Sequence, residues 1–314
     1  MISTKDAAKM KVMVTGANGY IASNLVRYLL VSGYEVIALE RKSSNLNKLR
    51  DLRGRIDIVK VRTDFMDIEN NIRKFKPGIV VHLAALTLVE HTPEQIKPLL
   101  TSNILFPTLL LEAMLRNGVK NLVSAGSFWE YIKCRGKFVP YNLYAATKSA
   151  FERILGYYEY AHDFHAVTLK LYGVYGPFDP RNKIFKYFKQ SIDSKEPVPF
   201  SPGKQKLDLI YIDDAVRAFE KAIRYVVFRK KNSAHESFFI GLGKSTELRQ
   251  IAVAFERCVG RPLRIKWGGR SYRQGEIMNS FANIKSALMR LKWKPRYDLK
   301  RGISQMLATE GASK

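Results

Sequence analysis

Tyr144 and Lys148 stand four residues apart in the run Tyr144-Ala145-Ala146-Thr147-Lys148, and Ser127 leaves the end of an apolar run upstream of them. On a helix, residues four apart share a face, so a phenol and an ammonium at this spacing enter one site together. The lysine charge favours the phenolate and draws the tyrosine pKa down, which equips the phenol to give and take a proton near neutral pH. Ser127 is placed to hydrogen-bond a substrate oxygen as charge develops on it. This is the chemistry that interconverts a ketone and an alcohol.

A second constellation lies near the start of the chain, Val14-Thr15-Gly16-Ala17-Asn18-Gly19-Tyr20-Ile21-Ala22. Gly16 lets the chain turn tightly off a strand, Gly19 lets backbone approach a pyrophosphate, and the helix that follows offers unpaired N–H groups and a positive dipole end. Asn18, Tyr20 and Ile21 belong to the same cradle, and Ala22 stands where a third glycine is expected. Downstream, Ala38-Leu39-Glu40-Arg41-Lys42 ends the second apolar run, where a dinucleotide's ribose is read. Glu40 would take both ribose hydroxyls and favour NAD, whereas Arg41 and Lys42 would receive the extra phosphate of NADP. The balance is taken to lean toward NADP. Asp64 and Phe65, after the third run, are candidates to hold the adenine, against the plainer reading of Asp64 as a turn residue.

The elements needed to position these groups are visible as a periodic pattern. Short apolar runs over Lys11–Thr15, Glu35–Leu39, Asp57–Val61, Ile79–Leu83, Leu122–Ala125 and Ala166–Leu171 read as buried parallel strands. Amphipathic stretches separate them, notably Ile21 to Leu30, Asn103–Arg116 and Tyr144–Tyr160. The alternation predicts an α/β fold, a Rossmann-type doubly wound parallel sheet. Past Leu171 proline and glycine thicken, so a smaller C-terminal α/β substrate lobe begins there. The expected division is a disordered tail over 1–10, a dinucleotide-binding domain over 11–171 with 205–230 returning to it, and a mostly substrate-binding lobe over 172–314.

Bulk properties narrow the classes. The 314 residues, 46% hydrophobic, suffice for one large core or two unequal ones. Two distant cysteines, Cys134 and Cys258, suggest neither a disulfide framework nor a zinc site, and a reduced cytoplasmic setting is expected. The first ten residues read as a frayed tail and not a signal peptide, and no run approaches the length that spans a bilayer. The net charge of +25 suits anionic substrates, yet it also admits nucleic acid or an acidic membrane, or a basic bias shared by the whole organism. Lysine and arginine are spread along the chain with only short clusters such as Arg229-Lys230-Lys231, and no nucleic-acid motif accompanies them, so specific nucleic-acid binding is not expected. His82 and His91 read as hydrogen-bonded core or loop residues, and no metal is predicted.

Taken together these motifs resemble the extended short-chain dehydrogenases/reductases, the NAD-dependent epimerase/dehydratase family, in its nucleotide-sugar branch. The resemblance runs from about Lys11 to Leu307. His82-Leu83-Ala84-Ala85 resembles the family's fourth-strand segment beside the cofactor, and Asn103 falls in its usual structural place. Leu171-Tyr172-Gly173-Val174-Tyr175-Gly176-Pro177 is similar to the segment after the sixth strand, which implies cofactor contacts at Tyr172 and Val174. Asp208-Leu209-Ile210-Tyr211-Ile212-Asp213-Asp214 resembles "DFVYVDD", and Arg273-Gln274-Gly275-Glu276 with Leu291-Lys292-Trp293-Lys294-Pro295 resembles "R-x-G-D … LGW-x-P". The resemblance implies catalysis by Ser127, Tyr144 and Lys148, a homodimer packed through the Asn103 and Tyr144 helices, and substrate contacts at Thr87, Phe128, Trp129, Lys183, Arg273 and Glu276. Arg273 would grip a diphosphate.

Two departures refine the expected reaction. Dehydratases of this family carry an acidic pair directly after the catalytic hydroxyl residue, where this chain has Phe128-Trp129, so 4,6-dehydration lacks its acid. Leu207 stands where relatives carry arginine, a charge that Lys206 or Lys183 would replace. The segments Gly126-Ser127-Phe128-Trp129, Asn142 to Lys148 and Gly203-Lys204-Gln205 resemble the reductases of CDP-linked 4-keto deoxysugars, the abequose and paratose synthase type, which serve deoxysugar and surface polysaccharide synthesis. The expected activity is therefore NAD(P)H-dependent reduction of a nucleotide-linked 4-keto sugar. The alternatives are 4-epimerisation with tightly bound NAD, which needs the same residues, and a catalytically silent dinucleotide sensor.

Overall fold

Val12, Met13 and Val14 are wholly buried, and this continuous apolar run is what a parallel strand covered on both faces requires. In the computed structural model, which describes residues 10–134, 137–181, 183–228 and 236–312, that run is β1 (Lys11–Thr15) at the heart of a sheet. The tail expected over 1–10 lies outside the described residues apart from Met10, whose carbonyl already accepts from the Glu35 N–H. The Arg229-Lys230-Lys231 cluster also lies outside them.

Around β1 the chain lays down β2 (Glu35–Arg41), β3 (Asp57–Val61), β4 (Ile79–His82), β5 (Asn121–Ser127), a hairpin of β6 (Ile132–Cys134) and β7 (Lys137–Val139), then β8 (His165–Leu171). With a later strand, β12 (Glu236–Ile240), the sheet order is β12-β8-β5-β4-β1-β2-β3. The pairings of β1 with β2 and β4, of β2 with β3 and of β4 with β5 are parallel. The order reverses beside β1, so the crevice at the carboxyl ends of β1 and β4 is where such sheets take a ligand. The Rossmann-type doubly wound sheet is thus present.

Its helices include α1 (Tyr20–Val31), α2 (Phe65–Phe75), α3 (Pro93–Leu100), α4 (Phe106–Arg116) and α5 (Leu143–His162). Helix α4 was expected from Asn103; instead α3, a π turn over Thr101–Leu105 and α4 form one continuous helix. Pro107 has no N–H to offer the Asn103 carbonyl, and the ladder widens so that the Phe106 N–H reaches Thr101. The joined helix, Pro93–Arg116, is 24 residues long and by length and composition could cross a membrane, which corrects the expectation that no such run exists. Leu99, Leu110, Leu111, Ala113 and Met114 on it are buried, and the last four pack with Met13, Val80 and Leu122 of the sheet.

The chain divides into two compact units, Met1–Lys170 with Val216–Phe238, and Leu171–Ala215 with Phe239–Lys314. The expected return of 205–230 to the first unit is corrected at its start. Residues Lys206–Tyr211 form β11, which pairs in parallel with β9 (Gly173–Tyr175) and antiparallel with β13 (Ser245–Glu247), and all three belong to the second unit. The return begins at Val216, within the helix Ile212–Phe228.

The second unit also holds the parallel pair β10 (Val198–Phe200) and β14 (Ile265–Trp267), and helices over Ile184–Asp193, Leu248–Val259, Lys285–Arg290 and Leu299–Gly311. Its core is aromatic: Phe188 stacks on Phe200 at 5.7 Å and meets Phe255 at 5.5 Å. The Asp208 and Asp214 carboxylates, both buried, pin this unit. Asp208 accepts from the Leu242, Gly243 and Ala282 N–H groups at 2.6, 3.0 and 2.9 Å. Asp214 accepts from those of Arg296 and Tyr297 at 2.8 and 2.9 Å. The family-like segments around these two aspartates are therefore structural ties.

Candidate active site

The glycine loop is built for close backbone approach. Gly16 has φ +66°, and a Cβ there would sit 2.7 Å from the Ala84 Cα, so only glycine lets the loop lie against the chain leaving β4. The Gly16 N–H bonds the Leu39 carbonyl, and the Gly19 N–H returns to the Gly16 carbonyl at 2.8 Å. Around Gly19 a Cβ would meet only Gly16 O and Ala22 Cβ within 4 Å, so that face of the loop is open. No side chain caps α1 and no acidic residue lies in its first turn. An open loop beneath an uncapped helix N-terminus fits a dinucleotide's pyrophosphate.

Glu40 is buried, and its Oε1 accepts from the Asn18 N–H at 2.6 Å, while Asn18 Oδ1 accepts from the Lys48 N–H at 3.0 Å. Glu40 thus ties the end of β2 to the loop, with Arg41 and Lys42 exposed beyond it. Asp64 serves as the N-cap of α2 through the Asp67 N–H at 3.1 Å, and Phe65 packs partly on the core beneath the Arg116 guanidinium, 4.8 Å from its ring. Tyr20 is buried and Ile21 half-buried. Leu83 and Ala84 are held by Thr15, whose carbonyl accepts from the Leu83 N–H and whose Oγ1 accepts from the Ala84 N–H at 3.2 Å; Ala85 follows, half-buried. Thr87 is exposed.

Asn142 starts α5 by accepting from the Ala145 N–H at 2.9 Å. It also donates to the carbonyls of Leu88 and Val89. From the π turn, Asn103 accepts from the Leu86 N–H and donates to Thr147 Oγ1 at 3.0 Å. These amides join the loop after β4 to the helix wall that carries Tyr144 and Lys148. Both residues are buried, at 8% and 5% exposure, as two inward positions four apart require.

Ser127 ends β5 and caps the short turn Phe128–Tyr131. Its Oγ accepts from the Trp129 N–H at 3.3 Å, so its own hydrogen remains to be donated. Trp129 meets the Tyr144 ring edge-on, centroids 6.2 Å apart, which brings the serine turn against the Tyr144 helix. Phe128 and Trp129 are half-buried, 6.0 Å ring to ring.

Beneath Ser127 lies a charged cluster that reading the sequence missed. Glu130 Oε1 accepts from the Ser127 N–H at 2.6 Å, and Oε2 meets Lys170 Nζ at 2.5 Å. Lys170 also pairs with Glu152 at 2.8 Å. Glu152 in turn accepts from the Tyr131 and Ser237 hydroxyls. Two signals were available: Ser127-Phe-Trp-Glu130 is a capping-box spacing, and Lys170 interrupts an inward strand position where a lysine needs a carboxylate. Both Glu130 oxygens are engaged, so it does not supply the missing dehydratase acid.

Burial lowers the Lys148 pKa to about 8; Glu130 opposes the shift and Lys170 adds to it. Burial pushes Glu130 above the usual carboxylate range, against the pull of Lys170 and the Ser127 N–H. His82 Nδ1 bonds Thr15 Oγ1 at 2.9 Å, and among the described residues its Nε2 has no partner. Burial, and then the Lys148 charge, hold His82 well below its ordinary pKa, so it is a neutral core residue.

The remaining predicted residues lie in the second unit. Tyr172 donates to the Phe281 carbonyl at 2.8 Å and burial raises its pKa to about 12. Val174 is buried, and its carbonyl accepts from both Lys183 Nζ and Arg181 Nη2, at 3.0 and 3.1 Å. Burial and then the Arg181 charge lower Lys183 to about 7. Arg273 is exposed and Glu276 half-buried in one turn, the Glu276 N–H bonding the Arg273 carbonyl.

Comparison with known proteins gives a consistent picture. The NAD dependent epimerase/dehydratase family profile matches residues 12–236. The chain is 31% identical to CDP-abequose synthase of Salmonella muenchen over 95% of this chain and 97% of that one. It is 28% identical to UDP-glucose 4-epimerase of Mycolicibacterium smegmatis over 94% and 97%. Among solved structures, UDP-glucose 4-epimerase of Thermus thermophilus complexed with NAD superposes with a TM-score of 0.81 at 25% identity, covering 97% of this chain and all of that one. That of Thermotoga maritima with UDP-glucose gives 0.84 at 23% identity over 97% and 99%, a likeness of fold.

Proposed function

Since the chain belongs to the NAD dependent epimerase/dehydratase family, we propose that it reduces the C4 ketone of a nucleotide-linked deoxysugar with a nicotinamide dinucleotide. The observation that carries this is the packing of the Ser127 turn, through Trp129, against Tyr144 on the helix that also buries Lys148. The similarity to CDP-abequose synthase along almost the whole chain supports the substrate class. The same comparisons support a nucleotide-sugar enzyme more broadly, so 4-epimerisation is the second reading, favoured by the likeness to 4-epimerases.

The nicotinamide ring, when bound, supplies the hydride for the sugar carbon. Ser127 donates its hydroxyl hydrogen to the C4 oxygen and stabilises the charge that grows there. Tyr144 gives its phenolic proton to that oxygen, and the Lys148 ammonium stabilises the phenolate left behind until solvent reprotonates it. Lys148, with a pKa of about 8, is mostly cationic at neutral pH, as this role needs. Trp129 walls the tyrosine.

For the dinucleotide, Gly16, Gly19 and the N-terminus of α1 would take the pyrophosphate, and Leu83, Ala84 and Ala85 would line it. The Glu40 carboxylate, bonded to the Asn18 N–H, repels a ribose phosphate, so we favour NAD over the NADP suggested by Arg41 and Lys42. Arg273 is assigned to the sugar-linked diphosphate. Lys183 and Arg181 converge on one carbonyl with Asp179 balancing them, and an arriving phosphate would raise Lys183 again. Exposed Leu100 and Leu105 on the long helix and Tyr157 and Tyr160 on α5 suit a homodimer, to be checked by sedimentation.

The test is to purify the protein, release bound dinucleotide, and follow nicotinamide absorbance while offering CDP-, dTDP-, GDP- and UDP-linked 4-keto-6-deoxysugars with reduced cofactor and, separately, the matching sugars with a C4 hydroxyl in the presence of NAD. Consumption of reduced cofactor identifies the reductase. A changed sugar configuration without net consumption identifies the epimerase, and neither change with any of these sugars overturns both.

A further inference from the structure

We infer that Glu130 is a positioning residue for this site: clamped on Lys170, its carboxylate seats the Ser127 backbone and presents a negative charge to the Lys148 ammonium. The inference rests on the catalytic reading of Ser127 and Lys148 given above.

The geometry is specific at both oxygens. Oε1 takes the Ser127 N–H at 2.6 Å and Oε2 takes Lys170 Nζ at 2.5 Å, with both charged side chains wholly buried. A surface pair would contribute little, whereas a buried pair that loses one partner leaves an uncompensated charge. Gly126 makes room for the arrangement, because a Cβ there would lie 2.6 Å from Lys170 Cδ, 2.8 Å from Glu130 Oε1 and 2.9 Å from Thr168 Cγ2. Three elements therefore meet under the serine: the end of β5, the turn that follows it, and β8.

The charge has a second consequence. Lys148 lies in the fields of Glu130 on the turn and of Lys170 on β8, and its charge adds to the burial that keeps His82 on β4 neutral, while Tyr144 shares its helix face. Glu152, on the same helix as Lys148, pairs with Lys170 and accepts from Tyr131. Desolvation and Lys170 both work against the Lys148 cation, and Glu130 opposes them in part. The residue thus holds a hydroxyl in register and keeps an ammonium charged, without touching substrate itself.

Two variants separate these roles. Glu130→Gln keeps an oxygen for the Ser127 N–H and removes the charge; Lys170 retains Glu152. In a ¹³Cε-lysine NMR titration, with Lys148 assigned from Lys148→Arg, its midpoint should fall by about one pH unit or more relative to wild type. An unmoved midpoint overturns the charge role. This readout needs no turnover, so it stands whether or not the proposed reaction is found. Glu130→Asp keeps the charge but is one methylene too short to reach the Ser127 N–H. It should leave the Lys148 midpoint in place and lower kcat by about tenfold to a hundredfold with little change in KM, since small misplacements of a catalytic group cost that much. Full kcat in Glu130→Asp overturns the seating role, and because the wild type would be turning over in the same assay, that result leaves the functional reading intact.

Discussion

The two units bury their charges in different ways. In the first, Glu130 and Glu152 hold Lys170 side chain to side chain beneath Ser127, with the second Glu130 oxygen on the Ser127 N–H, and Lys148 lies within their field. In the second, Asp208 and Asp214 are satisfied by backbone N–H groups and tie distant segments together. A carboxylate held by amides has partners that cannot titrate, so it acts as a fixed pin. A carboxylate held by an ammonium belongs to a set whose charge responds to protons and ligands, which suits the proton transfer proposed for this site.

The largest expected effect tests the first arrangement directly. Tyr144→Phe should cost about 10³-fold in turnover while sparing dinucleotide affinity, read by steady-state kinetics beside cofactor titration. Undiminished turnover would remove the tyrosine from its assigned role. In the second unit, Asp208→Ala leaves three N–H groups without their acceptor and should destabilise by about 4 kcal/mol in chemical denaturation. If it is tolerated, the contrast between pins and titrating sets fails.

Lys148→Met should lower turnover, by less than Tyr144→Phe does, and yet stabilise the fold at pH 7, on the order of 3 kcal/mol. The sign follows from the depressed folded pKa: between about 8 and the ordinary 10.5 the unfolded chain binds the extra proton, so wild-type stability rises through that window. Below pH 8 the buried ammonium is a cost that the methionine removes. The stability gap between variant and wild type should therefore be widest at neutral pH and close toward pH 10.5, and wild-type turnover should decline above about pH 8. Gly126→Ala should cost about 2 kcal/mol by overpacking against Lys170, Glu130 and Thr168, visible as a lowered melting temperature. Asp193→Asn breaks the exposed pair with Arg261 and should leave the melting temperature unchanged, which shows that burial gives the other charges their weight.

Much of the first unit was legible in residue order. The strands Lys11–Thr15 and Asp57–Val61 were bounded by their apolar runs, and the Tyr144 helix by its periodicity, to within a few residues. The glycine loop and the Tyr144 to Lys148 spacing were equally plain, because strands, helices and turns write their requirements locally. The helix joined from Pro93 was missed, since the π turn that unites it is a local response to Pro107 and has no period of its own. The second unit was read poorly, because its short strands pair with partners far along the chain.

Residue types and their spacing determined the α/β alternation, the tight glycine loop and the placing of a phenol and an ammonium on one helix face, all of which depend on neighbours within a few positions. Only the tertiary structure decided that Lys170 would lie under Ser127, that Glu130 would bridge them, and that Glu40 would turn to the Asn18 N–H. The reason is physical: a buried charge is defined by the partner that compensates it, and residues 40 and 22 positions apart become partners only when the sheet brings them into register.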